Sequence, residues 1–189
     1  MQLLPAVVRR HPRTTAATAL VGIGLVVFGL VWFEPQKLFI EDRVNEPLPG
    51  QGVDPIAGEG RAEAGGTEAG TRVVAKGDFL GLEHETSGRA LIVEAPDGRR
   101  FLRFEGFETS NGPDLVVYLS AKAPAGPEDW YGYDRDFVAL GELKGNIGPQ
   151  NYEIPPRVDL ERYSTAVVWC RRFTVGFAAA VLLASPGAA

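Results

Sequence analysis

Cysteine, histidine and methionine are scarce in this sequence, which has one cysteine, two histidines and one methionine among 189 residues. A single cysteine, Cys170, excludes an intramolecular disulfide and a structural zinc site with several cysteine ligands. A blue-copper site needs two histidines and a cysteine, usually with an axial methionine. The only methionine is Met1 and His11 lies in a basic N-terminal tail, so one chain cannot build such a site.

Haem chemistry is only weakly indicated. The C-x-x-C-H signature of covalent haem attachment is absent. Axial ligation of a haem by His84 or Cys170 stays open, but nothing in the sequence requires it. The sequence therefore predicts no particular cofactor.

A basic surface is also missing. The chain carries a formal net charge of -5 and has a pI near 5.1. No basic stripe or recognition helix is visible, so nucleic acid is not a predicted partner.

One long apolar run stands near the N-terminus. Residues 16–33 contain no charged side chain, and about 20 apolar residues are enough for a helix to cross a bilayer. A cleaved signal peptide would have a shorter apolar region followed by small residues, whereas this run ends in the bulky Trp32 and Phe33. A buried helix of a soluble protein would show a polar face. We therefore predict a transmembrane anchor over residues 16–33, in contact with the lipid bilayer.

The flanking charges predict the orientation of this anchor. Arg9, Arg10 and Arg13 precede the run, and Glu34 follows it directly. Positively charged flanks stay in the cytoplasm. We expect residues 1–15 to form a cytoplasmic tail of a single-pass cell-membrane protein, with the rest of the chain outside.

The next part of the chain has the composition of a tether. Residues 34–72 are rich in Gly, Pro, Glu and Ala and have few large apolar side chains. Such a segment buries too little surface to offset the entropy of ordering it. It is predicted to be a flexible extracytoplasmic linker.

Residues 73–185 have the pattern of an all-β domain. Apolar residues alternate over short runs that are rich in β-branched and aromatic side chains, and turn-type sequences separate them. The run from Phe173 to Ala184 contains many alanines and is open to a helical interpretation, but Phe173, Val175 and Phe177 alternate, which favours a strand. Short strands at regular spacing predict an antiparallel β-sandwich, jelly-roll-like in form.

Three blocks of this region resemble the DM-thirteen domain, also called the electron-transfer DM domain. The blocks are GPDLVVYL at 112–119, LKGNIGPQNYEIP at 143–155, and WCRRFTVGFAAAVL at 169–182. The resemblance covers the outer domain and none of the tail, anchor or tether. It implies a cell-surface domain, in animals often beside cytochrome-like domains, whose cysteine has been suggested to be redox-active.

The lone Cys170 allows three interpretations. Outside the cell, an unpaired cysteine indicates an intermolecular disulfide or a free reactive thiol. Cysteine is also among the most frequently buried residues, so Cys170 can be ordinary core packing. Arg171 and Arg172 would favour a thiolate if their charges lie near the sulfur, and the neighbouring Trp169 is oxidisable. These residues are the candidate redox site.

Other polar and aromatic residues are secondary candidates. His84 is the only histidine of the outer domain and so its only imidazole base. Asp114 follows the turn sequence Asn-Gly-Pro and either shapes that loop or binds a cation. Trp130, Tyr131 and Tyr133 form an aromatic loop that either binds a sugar or protein partner or covers one end of the sandwich.

Two functions follow from these observations. The first is redox activity, in which Cys170 transfers electrons or exchanges thiols with a partner in the cell envelope. The second is a non-catalytic surface module that binds through its aromatic loop, with Cys170 as core packing. A conventional enzyme is not predicted, because no Ser-His-Asp set is recognisable.

Overall fold

A computed structural model describes residues 12–34, 40–50 and 70–185 of the chain. Over these residues the secondary structure is one helix followed by ten strands in chain order. The helix and the strands belong to separate units, Met1–Lys37 and Leu38–Ala189. The predicted cytoplasmic tail lies mostly outside the described residues.

The first unit contains helix α1, Pro12–Phe33. Its large apolar side chains between Leu20 and Trp32 are exposed, and the Phe28 and Trp32 rings stack. Within the described residues, no helix combines the length and apolarity that a membrane crossing requires. The predicted transmembrane anchor over residues 16–33 is therefore not supported by the structure.

Two antiparallel five-stranded sheets form the second unit. The first sheet has the order β10-β1-β3-β4-β7 and the second has the order β2-β9-β8-β5-β6. The strands are β1 Arg72–Asp78, β2 Leu80–Gly81, β3 Thr86–Glu94, β4 Arg100–Thr109, β5 Leu115–Ser120, β6 Phe137–Glu142, β7 Gln150–Ile154, β8 Thr165–Cys170, β9 Val175–Val181 and β10 Leu183–Ala184.

The core lies between the inner faces of the two sheets. Ile92 and Phe104 of the first sheet pack in one buried cluster with Val117 and Val168 of the second. Because side chains alternate along a strand, the other residues of β5 and β8 face outward. The prediction of a β-sandwich is confirmed in these two sheets, and residues 175–181 form strand β9 rather than a helix.

The outer face of the second sheet is covered as well. A smaller buried cluster there includes Val116, Tyr118 and Val167 with Tyr133 of the loop between β5 and β6. Every residue of β5 and β8 is consequently buried, whichever face of the sheet its side chain points to.

Residues 40–50 differ from the predicted flexible linker. Asp42, Val44 and Glu46 form backbone hydrogen bonds with residues 147–149, just before β7. This part of the predicted tether therefore runs along the sandwich, and its polar composition does not prevent it because the bonds are made by its backbone. Residues 51–69 of the predicted linker lie outside the described residues.

Candidate functional site

Strand β8 places Trp169 and Cys170 on opposite faces of the second sheet. Trp169 belongs to the outer cluster and Cys170 to the core between the sheets. Alternation along the strand requires this separation of consecutive residues. The predicted pair of redox candidates is adjacent in sequence but does not share one environment.

The Cys170 thiol is fully enclosed. Its exposed fraction is 0%, and its register partners are Leu115 on β5 and Val175 on β9. A thiol in such apolar surroundings behaves as a small hydrophobic side chain. The geometry therefore favours core packing for Cys170.

Arg171 pairs with Asp114 at the end of β8. The guanidinium donates hydrogen bonds to both Asp114 carboxylate oxygens, from Nε at 3.1 Å and from Nη2 at 2.7 Å. The Arg171 amide also donates to the Asp114 carbonyl at 3.0 Å, and Glu142 lies 3.8 Å away. Hydrogen bonding to Asp114 raises the pKa of Arg171. Asp114 thus anchors its loop to the end of β8. Of the two roles considered for Asp114, these contacts correspond to shaping the loop.

Arg172 lies in the turn between β8 and β9, half-buried. Thr174 in the same turn adopts a positive φ of 52°. The chain reverses direction in this turn. The guanidinium of the neighbouring Arg171 is paired with the Asp114 carboxylate.

An aromatic cluster covers the outer face of the second sheet. We define it as Tyr118, Trp130, Tyr133 and Trp169. The Tyr133 and Trp169 rings meet edge to face with their centroids 6.4 Å apart. Tyr133 is 0% exposed and Trp169 only 2%. Two oxidisable rings are thus in contact and screened from water.

The loop that carries Trp130 and Tyr133 is held down by Gly176 of β9. The Gly176 amide donates to the Trp130 carbonyl at 2.7 Å. A Cβ at Gly176 would lie 2.8 Å from Leu82 Cδ1 and 3.2 Å from the Trp130 carbonyl oxygen. The absence of a side chain at residue 176 is what lets the loop approach the sheet.

Charged groups surround Tyr133. The Lys122 ammonium lies 4.2 Å from the centre of the Tyr133 ring, in cation–π geometry, and is ion-paired with Asp129. Burial raises the pKa of Tyr133, and the negative charge of Asp129 raises it further. Lys122 in turn holds the pKa of Asp129 below its usual value. The tyrosine is therefore neutral, and its buried hydroxyl has no hydrogen-bond partner among the described residues, although the Asp129 carboxylate is near enough to affect its pKa.

The predicted aromatic platform is only partly present. Tyr133 is buried in the cluster and Trp130 is half-buried, with its Nε1 donating to the Pro127 carbonyl. Tyr131 alone is well exposed, at 61%. The sequence pattern did not distinguish these three rings, because only the packing of the loop decides which of them turns inward.

His84 stacks on Phe177, with the ring centroids 3.9 Å apart. Burial lowers the pKa of His84, partly opposed by the nearby Glu83. Among the residues that the structure describes, no group of three or more His, Cys, Asp or Glu side chains is arranged to hold a metal ion. His84 is thus half-buried aromatic packing in this geometry.

Sequence reasoning missed Tyr118, Lys122 and Asp129. A signal for Tyr118 existed, because alternation along β5 places it on the face of Val116, which pairs with Trp169. No sequence signal identified the Lys122–Asp129 pair, since the loop between them has no regular period.

A comparison with protein families identifies the domain. The model described as electron transfer DM13 matches residues 78–182. The chain belongs to this family. No curated protein and no solved structure matches the chain significantly. The DM13 region includes β8 with Trp169 and Cys170 and the loop with Tyr133, and it begins after residues 40–50.

Proposed function

We propose that this DM13 domain transfers electrons through the Tyr133–Trp169 pair. The observation that carries the proposal is the edge-to-face contact of these two buried, oxidisable rings. Tyr133 belongs to the loop that covers Trp169, so a partner that docks on that loop comes close to both rings. The family description, electron transfer, supports the same class of function.

The step is a one-electron oxidation. A one-electron acceptor held by a partner protein, such as a haem or copper centre, takes an electron from the Trp169 indole and is reduced. Tyr133 then passes an electron to the oxidised indole, while its phenol proton moves to the Asp129 carboxylate. This transfer requires the Asp129 side chain to move into contact with the Tyr133 hydroxyl, which makes no hydrogen bond within the described part of the chain. A donor returns the electron and the proton returns to the phenol. The Lys122–Asp129 ion pair supports the exchange because it keeps the carboxylate ionised.

Cys170 has a smaller role in this proposal. Its complete burial prevents direct thiol exchange with a partner in this conformation. It remains a candidate electron donor, since it neighbours Trp169 in the chain. The redox proposal does not depend on it.

Flash oxidation of the full chain tests the proposal. A photo-oxidant generates an indole radical, and transient absorption follows its conversion into a phenoxyl radical. We expect intramolecular conversion in the natural chain and its loss in Tyr133→Phe, which keeps the ring but removes the acidic proton. Tyr131→Phe is the matched control, because Tyr131 lies on the same loop and is exposed. Equal conversion in Tyr133→Phe and the natural chain would refute the relay.

A second candidate function is binding. The observation that favours it is the exposure of the Tyr131 ring beside Trp130, with centroids 6.1 Å apart. Rings of this type supply contact area at low entropic cost. If this proposal holds, Tyr131→Ser abolishes association with cell-envelope material and Tyr133→Phe does not. Unchanged association in Tyr131→Ser would remove it.

The location that we propose is the outer surface of the cell membrane, with residues 16–33 as the anchor and a partner protein in the envelope. This proposal rests on the uncharged apolar run and the arginines before it.

A further inference from the structure

The loop Lys144–Pro149, which precedes β7, has a fixed shape. The Gln150 side chain is fully buried, accepts hydrogen bonds from the Lys144 amide and the Tyr152 hydroxyl, and donates to the Gly145 carbonyl. These contacts come from the domain itself. We call residues 144–151 together with Arg103 the edge groove.

Residues 42–47, the docking segment, lie in this groove and run parallel to the chain just before β7. Arg43 pairs with Ile147. The Ile147 amide donates to the Asp42 carbonyl at 3.3 Å, and the Val44 and Glu46 amides donate to the Ile147 and Pro149 carbonyls at 2.9 Å each. Main-chain pairing of this type is how sheets bind extended peptides at an edge.

Buried polar side chains of the domain point at the backbone of the segment. Asn146 is only 4% exposed, and its Oδ1 accepts from the Asp42 amide at 2.7 Å. Arg103 is only 7% exposed, and its Nη1 donates to the carbonyls of Glu46 and Pro47, each at 3.2 Å. Buried groups of this kind need a partner. Both side chains are held by bonds within the domain, Asn146 to the Thr109 carbonyl and Arg103 to Glu105 and Asn151. They therefore present fixed hydrogen-bonding groups to the segment.

One side chain of the segment is also recognised. The Glu46 carboxylate accepts from the Lys144 ammonium and from the Asn151 amide, at 2.7 Å each. Asn151 Nδ2 donates to the Pro47 carbonyl at 2.8 Å. The groove thus binds the side chain of the segment only at Glu46, and it binds the backbone at the other positions described above.

Two glycines make room for the segment. A Cβ at Gly145 would lie 2.4 Å from the Asp42 carbonyl oxygen, and one at Gly148 would lie 2.0 Å from the Val44 carbonyl oxygen. At Gly145 the three nearest atoms belong to residues 42 and 44. A methyl group there would therefore collide first with the segment.

The segment adds no side chain to the buried core. None of residues 40–50 is buried, so hydrogen bonds rather than apolar burial hold it. Ordering one residue costs roughly as much free energy as one such bond returns. It also lies before the family region, 78–182, which contains the whole groove.

From this arrangement we infer that the edge groove is a peptide-binding site. Its ligand is an extended segment that carries a glutamate followed by proline, and this chain supplies that ligand itself with residues 42–47. A ligand bound mainly through hydrogen bonds is releasable, so the groove also accepts the same sequence as a separate peptide.

A released chain tests the inference. Full-length protein with Val44→Pro and Glu46→Ala lacks one ladder donor and the recognised carboxylate. A fluorescent peptide of residues 40–49 is added, and anisotropy measures binding. We expect saturable binding to the released chain, and at least tenfold weaker binding to the natural chain because its groove is occupied. A peptide with Glu46→Ala should also bind at least tenfold more weakly.

Matched glycine variants locate the bound peptide. Gly145→Ala in the released chain should abolish binding, whereas Gly126→Ala should not, because a Cβ at Gly126 meets nothing within 4 Å. Absence of binding to a folded released chain would overturn the inference, as would binding that Gly145→Ala leaves unchanged. A released chain that fails to fold would also overturn it, because the segment would then be an integral strand.

Discussion

Trp169 and Cys170 are consecutive in β8, yet Trp169 contacts Tyr133 on the outside of the second sheet while Cys170 lies in the core between the sheets. The chemistry open to each residue follows from this division. Trp169 is covered by a single surface loop, which carries Tyr133. A reagent reaches the Cys170 sulfur only if the sandwich opens.

Cys170 should be inert in the native domain. We expect a thiol reagent to label no cysteine before denaturation and one after it. Cys170→Ser should lower the free energy of unfolding by ~1–3 kcal/mol, because the hydroxyl would be buried without a partner. Urea titration measures this loss, with Cys170→Ala as the variant that adds no polar group. Fast labelling of the native protein would contradict the observed burial.

The Asp114–Arg171 pair should contribute only modestly to stability. Both side chains are partly exposed, and exposed ion pairs contribute about 0.2–1 kcal/mol. A double-mutant cycle with Asp114→Ala and Arg171→Ala measures their coupling. Salt should weaken it. If salt leaves the coupling free energy unchanged, the interaction between Asp114 and Arg171 is not mainly electrostatic.

A side chain at Gly176 should displace the aromatic loop. Gly176→Ala places a methyl group against Leu82 and the Trp130 carbonyl, and overpacking of this type costs roughly 1–3 kcal/mol. Tryptophan fluorescence should shift toward that of exposed indole as the loop lifts. Gly126→Ala is the control in open space. A spectrum unchanged in Gly176→Ala would mean that the sheet absorbs the methyl group instead.

Acid should release the docking segment. Burial alone would raise the pKa of Glu46, but hydrogen bonds from Lys144 and Asn151 outweigh it and lower that pKa below 4.5. The stabilisation is therefore present above about pH 4.5 and is lost as the pH falls through the lower folded value. Amide NMR signals of Val44 and Glu46 should report this transition. In Glu46→Gln the same signals should not show it.

The uncharged apolar run over residues 16–33 predicts that the protein is bound to a membrane. The full chain expressed in bacteria should stay in the membrane fraction after alkaline carbonate washing, and external protease should digest residues 70–185 in intact cells. Replacing Leu25 and Val26 by arginine should release the protein, since charge at the centre of a span is costly. A natural chain found in the soluble fraction would contradict the anchor.

Much of the sandwich could be predicted from alternation. The apolar periods of β3 to β9 indicated strands, and the alternation of Phe173, Val175 and Phe177 outweighed the alanines of β9. Adjacency in the sequence groups Trp169 with Cys170 in one candidate site. Alternation along a strand implies that they face opposite sides, but it cannot tell which of them faces the core. That choice depends on where the first sheet packs, and no local pattern records it.

The docking segment and the Lys122–Asp129 pair could not be predicted. Residues 42–47 are polar and have no period, and their partners recognise mainly the backbone, which every sequence shares. The glycine-rich block before β7 was recognisable as a family feature. The physical role of this block is to leave room for the docking segment beside Gly145 and Gly148. That role can be seen only in the folded structure, where the block and the segment are in contact.

The docking segment has a consequence for self-association. Without residues 42–47, the carbonyls of Ile147 and Pro149 would be unpaired next to β7, which is an edge strand of the first sheet. Unpaired backbone groups at a sheet edge template the joining of one molecule to the next. The natural chain instead presents Arg43 and Pro47 to its surroundings, and both oppose further strand addition. Keeping this segment docked is thus a safeguard against edge-to-edge assembly of one molecule with the next.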